Sequence, residues 1–376
     1  MDLSFSDDQR LLKDSAERFV AQRYDFAARR RIAALPERFS PDIWQAMAEM
    51  GWLGLPLPLD DNGFGGSALD VGIVMEALGR GLVLEPYLST VVQAGQLIAG
   101  AGSPAQRTRW LAPIAAGQQR VALAHGESMF ESLGGVPDTR AQVEGERLVI
   151  RGTKRLVPDA PGADWFIVTA TRAGGELAFF MIPREAPGLE IQSFDTLDGR
   201  LAANLRLDGV AVSEDQCLGA AADNAALLSE ILDRTAAALC AEAVGCLQHL
   251  LDATVAYTRT RVQFDRPIAS NQVLRHRMVD MAIQCEESRA MALRAALAID
   301  GDPAARQREV SGAKLKISRA ARLVAEGAIQ LHGAMGVTDE LDVGAYAKRL
   351  MTIEKLCGTP AEHRDRLAGL RAARGA

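Results

Sequence analysis

Two kinds of reactive side chain stand out in the sequence, a carboxylate inside an apolar run and a set of five cysteines. Glu242 lies in the otherwise apolar stretch Leu239–Ala243. A carboxylate there must find a partner, and structural pairing is favoured over a role as a catalytic base. The cysteines are odd in number and form no C-x-x-C pair, which argues against a disulfide framework and a zinc site. We expect no metal and a reducing cytoplasm.

Several catalytic signatures are absent from the sequence. It holds no H-E-x-x-H, no G-x-x-x-x-G-K-[ST] and no G-x-S-x-G, which argues against metalloproteases, P-loop nucleotide hydrolases and α/β-hydrolases. The net charge of -6 leaves no basic excess, so nucleic acid is not an expected partner. No apolar stretch reaches the ~18–20 residues that cross a bilayer, and charged residues run through the first twenty positions. We expect a soluble protein without a signal peptide or a membrane span.

Three regions of different periodicity must position the reactive residues. Apolar residues recur at helical spacing up to about residue 119, and Ser40-Pro41 supplies an N-cap and a first-turn proline. Short β-rich runs broken by turn signals fill residues 121–218, and the helical period then returns. The Gly-rich loop 62–66 does not follow a strand, so we interpret it as a plain turn between helices.

We therefore predict a mainly α protein with a β middle. Its parts are an N-terminal helical domain (1–120), a middle β-domain (121–222) closed as a small barrel or sandwich, and a C-terminal helical domain (223–376) like a four-helix bundle.

Two motifs in the last region carry a family resemblance. Arg259 to Ile268 reads R-T-R-V-Q-F-D-R-P-I and is followed by Gln272, and Gln330 to Gly336 reads Q-L-H-G-A-M-G. In their order and separation, these segments resemble two motifs of the acyl-CoA dehydrogenase family. The family motifs are R-x-x-F-G-x-P-I, which is followed by a Gln, and Q-x-x-G-G-x-G. The similarity extends over nearly the whole chain, and it implies the helical, β-barrel and four-helix-bundle domains of that fold.

The resemblance implies an FAD site that is shared between subunits. The matching residues hold the adenosine and pyrophosphate end of a flavin that sits mainly in the neighbouring subunit. Arginine forms forked contacts with phosphate oxygens, and glycine lets backbone amides approach a nucleotide. The alternative is that Arg261 pairs with Asp265 and Phe264 is core. The matching residues are Arg261, Phe264, Gln272, Gln330, Gly333 and Gly336.

The family's reaction removes hydrogens from the α and β carbons of an acyl-CoA thioester. A buried glutamate takes the α-proton, the flavin accepts hydride, and electron-transfer flavoprotein is the usual acceptor. This sequence departs from the pattern at both known positions of that base. Cys357 replaces the Glu of the Y-E-G-T run, and Thr235 occupies the alternative position. Glu242 is a weak substitute, and Glu354 is expected to be an exposed helix residue, so the catalytic residues stay unassigned.

The segments that would hold the flavin ring have also drifted. The family's T-E-P-x-x-G-S-D corresponds to His125–Phe130, and its K-x-W-I-T corresponds to Lys154–Pro158. Leu156 replaces the Trp and Pro158 replaces the Thr, so a stacking ring and a hydroxyl are lost, and proline removes a backbone donor.

The residues that would contact the FAD of a neighbouring subunit are thus kept, whereas those that would hold the chain's own flavin are lost. The pattern resembles the small subunit of two-subunit acyl-CoA dehydrogenases of the pimeloyl-CoA or steroid side-chain type, especially around Leu239–Gly245 and Ala347–Leu350. We expect a half-site subunit in a heterotetramer with a homologous partner. One alternative is a homotetramer that binds its own FAD and uses an atypical base. The other is a binding protein without flavin.

Overall fold

The N-terminal third is helical, as predicted. The computed structural model describes residues 5–128, 133–219 and 223–375, so Met129 and Phe130 of the drifted flavin-ring segment lie outside the described residues. The helices before the sheet are α1 (Asp7–Arg23), α2 (Phe26–Ala33), α3 (Pro41–Glu49), α4 (Ala68–Arg80), a π-helical turn (Leu88–Gly95), α5 (Gln96–Ala101) and α6 (Pro104–Ala115).

The cap predicted at the start of α3 is present. The Ser40 hydroxyl accepts a hydrogen bond from the Ile43 amide at 3.4 Å, and Pro41 occupies the first turn, where its missing N–H is not needed.

The Gly-rich loop 62–66 is a plain turn between helices. Its amides from Gly63 to Gly66 all donate to backbone carbonyls in the preceding residues 54–58, so none is left for a phosphate. A Cβ at Gly63 would lie 2.0 Å from the Leu57 carbonyl oxygen, which explains the glycine by close backbone approach. The turn interpretation is confirmed.

The middle region is an eight-stranded sheet. Its strand order is β6-β7-β3-β2-β4-β5-β8, with β1 pairing parallel to β4, and hairpin turns lie at Gly145-Glu146 and Gly174-Gly175. Buried apolar side chains such as Phe166, Phe180 and Leu205 form its core. The strands are β1 (Val121–Ala124), β2 (Arg140–Glu144), β3 (Arg147–Pro158), β4 (Trp165–Arg172), β5 (Leu177–Pro183), β6 (Leu189–Asp195), β7 (Leu201–Val212) and β8 (Cys217–Leu218).

The predicted closed barrel is wrong, because the sheet is open in the described residues. Its terminal strands, β6 and β8, do not pair with each other. Closure is one way to protect sheet edges, but shortness and charge are others. Strand β8 is two residues long, and β6 carries charged side chains such as Glu190, which pairs with Arg206 of β7.

The chain is helical again after the sheet. In the described residues beyond 223, the α-helices are α7 (Asn224–Thr260), α8 (Gln272–Ala298), α9 (Pro303–His332), α10 (Val343–Lys355) and α11 (Pro360–Gly375). A short hairpin of β9 (Val262–Gln263) and β10 (Arg266–Pro267) separates α7 from α8. Helix α9 packs against α8, α10 and α11. The predicted capping box opens α11, with Thr359 and Glu362 bonding each other's backbone amides. The four-helix bundle stays a prediction.

The backbone forms two compact units. One comprises residues 1–30, 72–83 and 236–376, and the other comprises residues 31–71 and 84–235. Helix α7 contributes to both units. The three-domain division with boundaries near residues 120 and 222 stays a prediction.

Candidate functional site

The hairpin between α7 and α8 presents an aromatic ring to solvent. Its two turn residues, Phe264 and Asp265, both have positive φ, 53° and 61°, as a type I′ hairpin turn requires. The turn leaves Phe264 94% exposed. The alternative that Phe264 is a core residue is therefore wrong.

Arg261 is an exposed side chain at the base of this hairpin. Its backbone carbonyl accepts a hydrogen bond from the Ile268 amide at 2.9 Å, which closes the loop. No ion pair joins its guanidinium to Asp265 in the described residues, so the alternative pairing is absent. Guanidinium N–H groups that make no bond within the chain can donate hydrogen bonds to phosphate oxygens.

The ends of α7, α8 and α9 meet next to the hairpin. The rings of Tyr257, near the end of α7, and His332, at the end of α9, stack with centroids 4.4 Å apart. The Thr258 hydroxyl contacts the sulfur of Met278 on α8 at 3.3 Å. These contacts bring together the elements that carry the six predicted cofactor residues.

The remaining cofactor candidates lie on these helix ends. Gln272 is the exposed first residue of α8, and Gln330 is exposed in the last turn of α9. Gly333 follows at φ 61°, where a Cβ would meet nothing within 4 Å, so its surface is open. Gly336 is buried, and a Cβ there would lie 2.7 Å from the Ile329 carbonyl oxygen. Gly336 is thus explained by packing, whereas the other positions are accessible to a ligand.

Neither usual position of the base offers a carboxylate or a free proton acceptor. The Thr235 hydroxyl is buried and donates to the Ile231 carbonyl of its own helix at 2.7 Å. Cys357 is buried at 1% exposure, with φ of 49°.

Two side chains that no sequence motif indicates, Lys314 and His363, hold the loop at Cys357. The buried Lys314 ammonium donates to the carbonyls of Ile353 and Leu356 at 2.6 and 2.7 Å. The ring of His363 contacts the Cys357 carbonyl at 2.9 Å through Nε2 and the Ser311 hydroxyl at 3.0 Å through Nδ1. Burial and the neighbouring Lys314 charge lower the pKa of His363 to about 3, so the ring is neutral. No local sequence pattern signals these contacts, because their partners are up to 52 residues apart.

Glu242 has a buried structural partner. The Arg349 guanidinium donates to both of its carboxylate oxygens, at 2.6 and 2.8 Å, and both side chains are almost fully buried. This is the pairing that the sequence favoured over catalysis. Because Arg349 binds both of its oxygens, the Glu242 carboxylate is a poor acceptor for a substrate proton.

The segment Leu239–Gly245 is explained by helix packing. The backbones of α4 and α7 approach so closely that a Cβ at Gly245 would lie 2.0 Å from the Glu76 carbonyl oxygen, and one at Gly79 would lie 2.1 Å from that of Glu242. The Cys246 thiol donates to the Gly79 carbonyl at 3.3 Å. These small residues make a tight crossing next to the buried ion pair.

The drifted segment of β3 has an unusual backbone. Leu156 has φ of 52° at an irregularity between β3 and β7, and its amide donates to the Asn204 side chain at 3.1 Å. A half-buried leucine here provides neither a stacking indole nor a hydrogen bond from its side chain.

A buried polar cluster lies two residues earlier on β3. The fully buried Lys154 ammonium donates to Glu127 at 2.6 Å and to the Thr169 hydroxyl at 3.1 Å. Burial lowers the pKa of Lys154 to about 8 and that of His125, with help from the Lys154 charge, to about 4. Burial by itself would raise the pKa of Glu127, but hydrogen bonds from Lys154 and Thr139 lower it. The charged groups of the cluster pair with each other inside the protein, which indicates a structural role.

Three further observations bear on the predictions. Glu354 is not exposed as expected, because its side chain is 13% exposed and pairs with Lys355 at 2.7 Å and Arg322 at 3.7 Å. Among residues 5–128, 133–219 and 223–375, no group of His, Cys, Asp and Glu side chains is placed to hold a metal ion. No helix in this described part of the chain is both long and apolar enough to cross a membrane.

Comparisons with known proteins agree with the geometry. Family models match residues 6–118 as "Acyl-CoA dehydrogenase, N-terminal domain" and residues 225–369 as "Acyl-CoA dehydrogenase, C-terminal domain". The probable acyl-CoA dehydrogenase YngJ of Bacillus subtilis is 28% identical over 91% of this chain and 92% of its own. The mitochondrial short-chain specific acyl-CoA dehydrogenase of Homo sapiens is 28% identical over 86% and 80%. A chain of the ChsE4-ChsE5 complex from Mycobacterium tuberculosis superposes with a TM-score of 0.90 at 27% identity, covering 99% of both chains.

Proposed function

Because the chain belongs to the acyl-CoA dehydrogenase family of FAD-binding oxidoreductases, we propose that it is a half-site subunit of an acyl-CoA dehydrogenase. In this proposal it completes the adenosine pocket of a flavin held mainly by a homologous partner, and the partner supplies the base. The observation that carries the proposal is an asymmetry. Arg261 and Phe264 are exposed and unused by the chain, whereas Thr235 and Cys357 are buried and lack a carboxylate.

The exposed residues fit the adenosine half of FAD. The Arg261 guanidinium would donate hydrogen bonds to pyrophosphate oxygens, and the Phe264 ring offers a face on which the adenine base can stack. The amides of Gln272 and Gln330 add donors and acceptors, and the open surface at Gly333 allows close approach. When bound, FAD supplies the hydride acceptor for oxidation of the acyl-CoA thioester.

The positions of the base support a non-catalytic role for this chain's own half. Removal of an α-proton needs a carboxylate within hydrogen-bonding reach of the substrate. The Thr235 hydroxyl donates a hydrogen bond to the Ile231 carbonyl of its own helix, and Glu242 is held by Arg349. The similarity to a chain of the ChsE4-ChsE5 complex favours a two-protein assembly over a homotetramer. Electron-transfer flavoprotein is the electron acceptor that the family resemblance implies.

A substitution of Arg261 tests the half-site role. The chain is affinity-tagged and purified under native conditions together with its partner, and flavin per assembly is measured by visible absorbance. Arg261→Ala removes charge-assisted bonds of about 1.5–3 kcal/mol each, so FAD should bind roughly 10- to 100-fold more weakly. The matched control is Arg364→Ala, an exposed arginine of α11.

Circular dichroism checks that both variants keep the wild-type fold. Flavin loss in the Arg261 variant alone supports the proposal. Equal flavin affinity in the wild type and in both variants would contradict the assignment of this residue to the pyrophosphate.

A further inference from the structure

A cavity lies within the unit formed by residues 1–30, 72–83 and 236–376, and no residue of the hairpin lines it. It has a volume of about 590 Å³, which is within the ~300–1,000 Å³ of typical small-molecule sites. His249 of α7 contributes to its wall, 11 residues before the end of that helix at Thr260, or about 16 Å along the axis. The proposed flavin role therefore does not account for it.

The polar wall of this cavity is built around a histidine–carboxylate pair. The Nε2 atom of His249 lies 2.7 Å from a carboxylate oxygen of Asp342, and its ring stacks on Tyr346 with centroids 4.0 Å apart and planes 11° apart. Stacking and pairing fix the ring's orientation, as they do for histidines that bind ligands.

One nitrogen of this ring is available. The Nδ1 atom of His249 has no hydrogen-bond partner among the described residues, and the side chain is 27% exposed. In the tautomer whose Nε2–H donates to Asp342, Nδ1 has an unused lone pair and is an acceptor. A ligand bound here must therefore offer a donor.

The walls around the pair are preorganised. The Tyr346 hydroxyl donates a short hydrogen bond to the Arg80 carbonyl, which ties α10 to the carboxyl end of α4. Burial raises the pKa of Tyr346, so its phenol stays a neutral donor. The exposed carbonyls at the end of a helix carry a partial negative charge.

The charges that line the cavity favour a cation. Three carboxylates contribute, from Glu17, Asp25 and Asp342, against one guanidinium, that of Arg80. Arg80 is itself paired with Asp252 at 2.7 Å and Glu17 with Lys13 at 3.9 Å, both outside the lining, so the net charge around the cavity stays negative. The remaining wall is apolar and includes Val20, Ala21 and the half-buried ring of Phe26.

We propose that this cavity binds a small organic ammonium ion whose N–H donates to Nδ1 of His249 and whose apolar group contacts the wall formed by Val20, Ala21 and Phe26. The carboxylates compensate its charge, and the Phe26 ring adds a cation–π contact. The site is independent of the proposed flavin role, so either can fail without the other.

Benzylammonium chloride is the probe, with benzyl alcohol as its neutral analogue of similar shape. Calorimetric titration of the full-length protein, in its purified assembly, should give saturable binding of the ammonium with a Kd of about 1 mM or below. The alcohol should bind at least about tenfold more weakly, because it lacks the charge. No saturable binding, or equal binding of the two probes, would overturn the proposal.

Variants locate the site. His249→Gln and Asp342→Asn should each weaken benzylammonium binding about tenfold or more. The first removes the ring nitrogen that accepts from the ammonium, and the second removes a compensating charge and the carboxylate that orients the ring. His276→Gln, at an exposed histidine of α8, is the matched control and should bind as the wild type does. Binding that survives His249→Gln unchanged would place the probe elsewhere and sink the idea.

A third variant covers the case in which the dyad variants do not fold. Ala21→Phe fills the cavity from an exposed position of α1 and leaves the dyad intact, so it should abolish binding while the protein melts normally. Sedimentation velocity distinguishes a free amine from a lysine side chain of a second protomer. An assembly unchanged by benzylammonium supports the free-ligand site, and one that dissociates on binding overturns it.

Discussion

At the scale of single residues, the decisive feature is that no free carboxylate occupies either family position of the catalytic base. The family reaction needs a carboxylate that is free to take a proton. Thr235 and Cys357 provide none, and the nearby Glu242 is held by Arg349 in a two-pronged pair inside the protein. A buried carboxylate with that partner stabilises a structure only as long as both members are present.

The Glu242–Arg349 pair makes a prediction about stability. Arg349→Met should lower the free energy of unfolding by about 3–5 kcal/mol, because it leaves an unpaired charge in the interior. The double variant Glu242→Leu, Arg349→Met should recover most of that loss. Urea unfolding of the purified chain measures both.

An exposed arginine provides the comparison. Arg364→Met removes a surface pair with Asp365 and should change the free energy of unfolding by less than about 1 kcal/mol. If Arg349→Met were as mild as this control, the pair would not be the structural contact described, and Glu242 would return as a candidate base.

At the scale of elements, the α4–α7 crossing shows how packing explains a recognisable sequence segment. The glycines at 79 and 245 allow backbone contact between these helices, and Cys246 seals the crossing with a bond to a carbonyl. Where larger side chains lie at a crossing, the axes of two helices are further apart than those of α4 and α7.

Two glycines of α4 give matched variants. Gly79→Ala would place a Cβ 2.1 Å from the Glu242 carbonyl oxygen, so α4 and α7 must separate at a cost of about 1–3 kcal/mol or more. Gly72→Ala meets only the Ala241 methyl at 3.7 Å and should be neutral or stabilising by up to about 1 kcal/mol. Melting temperatures measure the difference, and equal values for the two variants would contradict the close crossing.

The sequence predicted the helices well because their signals are local. Ser40-Pro41 and the Thr359–Glu362 box mark helix starts through contacts three residues apart. Sheet closure was mispredicted because strand pairing is long-range, and an edge can be protected by brevity or charge. The Lys314 contacts and the positive φ of Cys357 depend on the packing of α9, α10 and α11. A local sequence pattern therefore cannot predict them.

The candidate cofactor residues could be found from the sequence, but their exposure could not. The motif that contains Arg261 and Phe264 indicates a nucleotide contact only through its family resemblance. That Phe264 is exposed rather than core follows from a turn with two positive φ angles, which the residues Phe and Asp do not suggest.

At the scale of the whole molecule, an exposed apolar surface is consistent with a partner subunit. Large apolar side chains on α8 are exposed, among them Val273, Val279 and Ile283. Together with the exposed Phe264 they fit a surface that a second subunit covers. In the half-site proposal, this chain completes its neighbour's cofactor pocket and does not oxidise an acyl-CoA by itself.

The visible absorbance of the chain purified by itself tests that claim most directly. FAD and then an acyl-CoA are added under anaerobic conditions, and the flavin band is followed. We expect no stoichiometric flavin and no bleaching, because Thr235 and Cys357 occupy the family positions of the base and Leu156 occupies that of the stacking Trp. Stoichiometric flavin that bleaches with the acyl-CoA would show a complete enzyme and would contradict the half-site account.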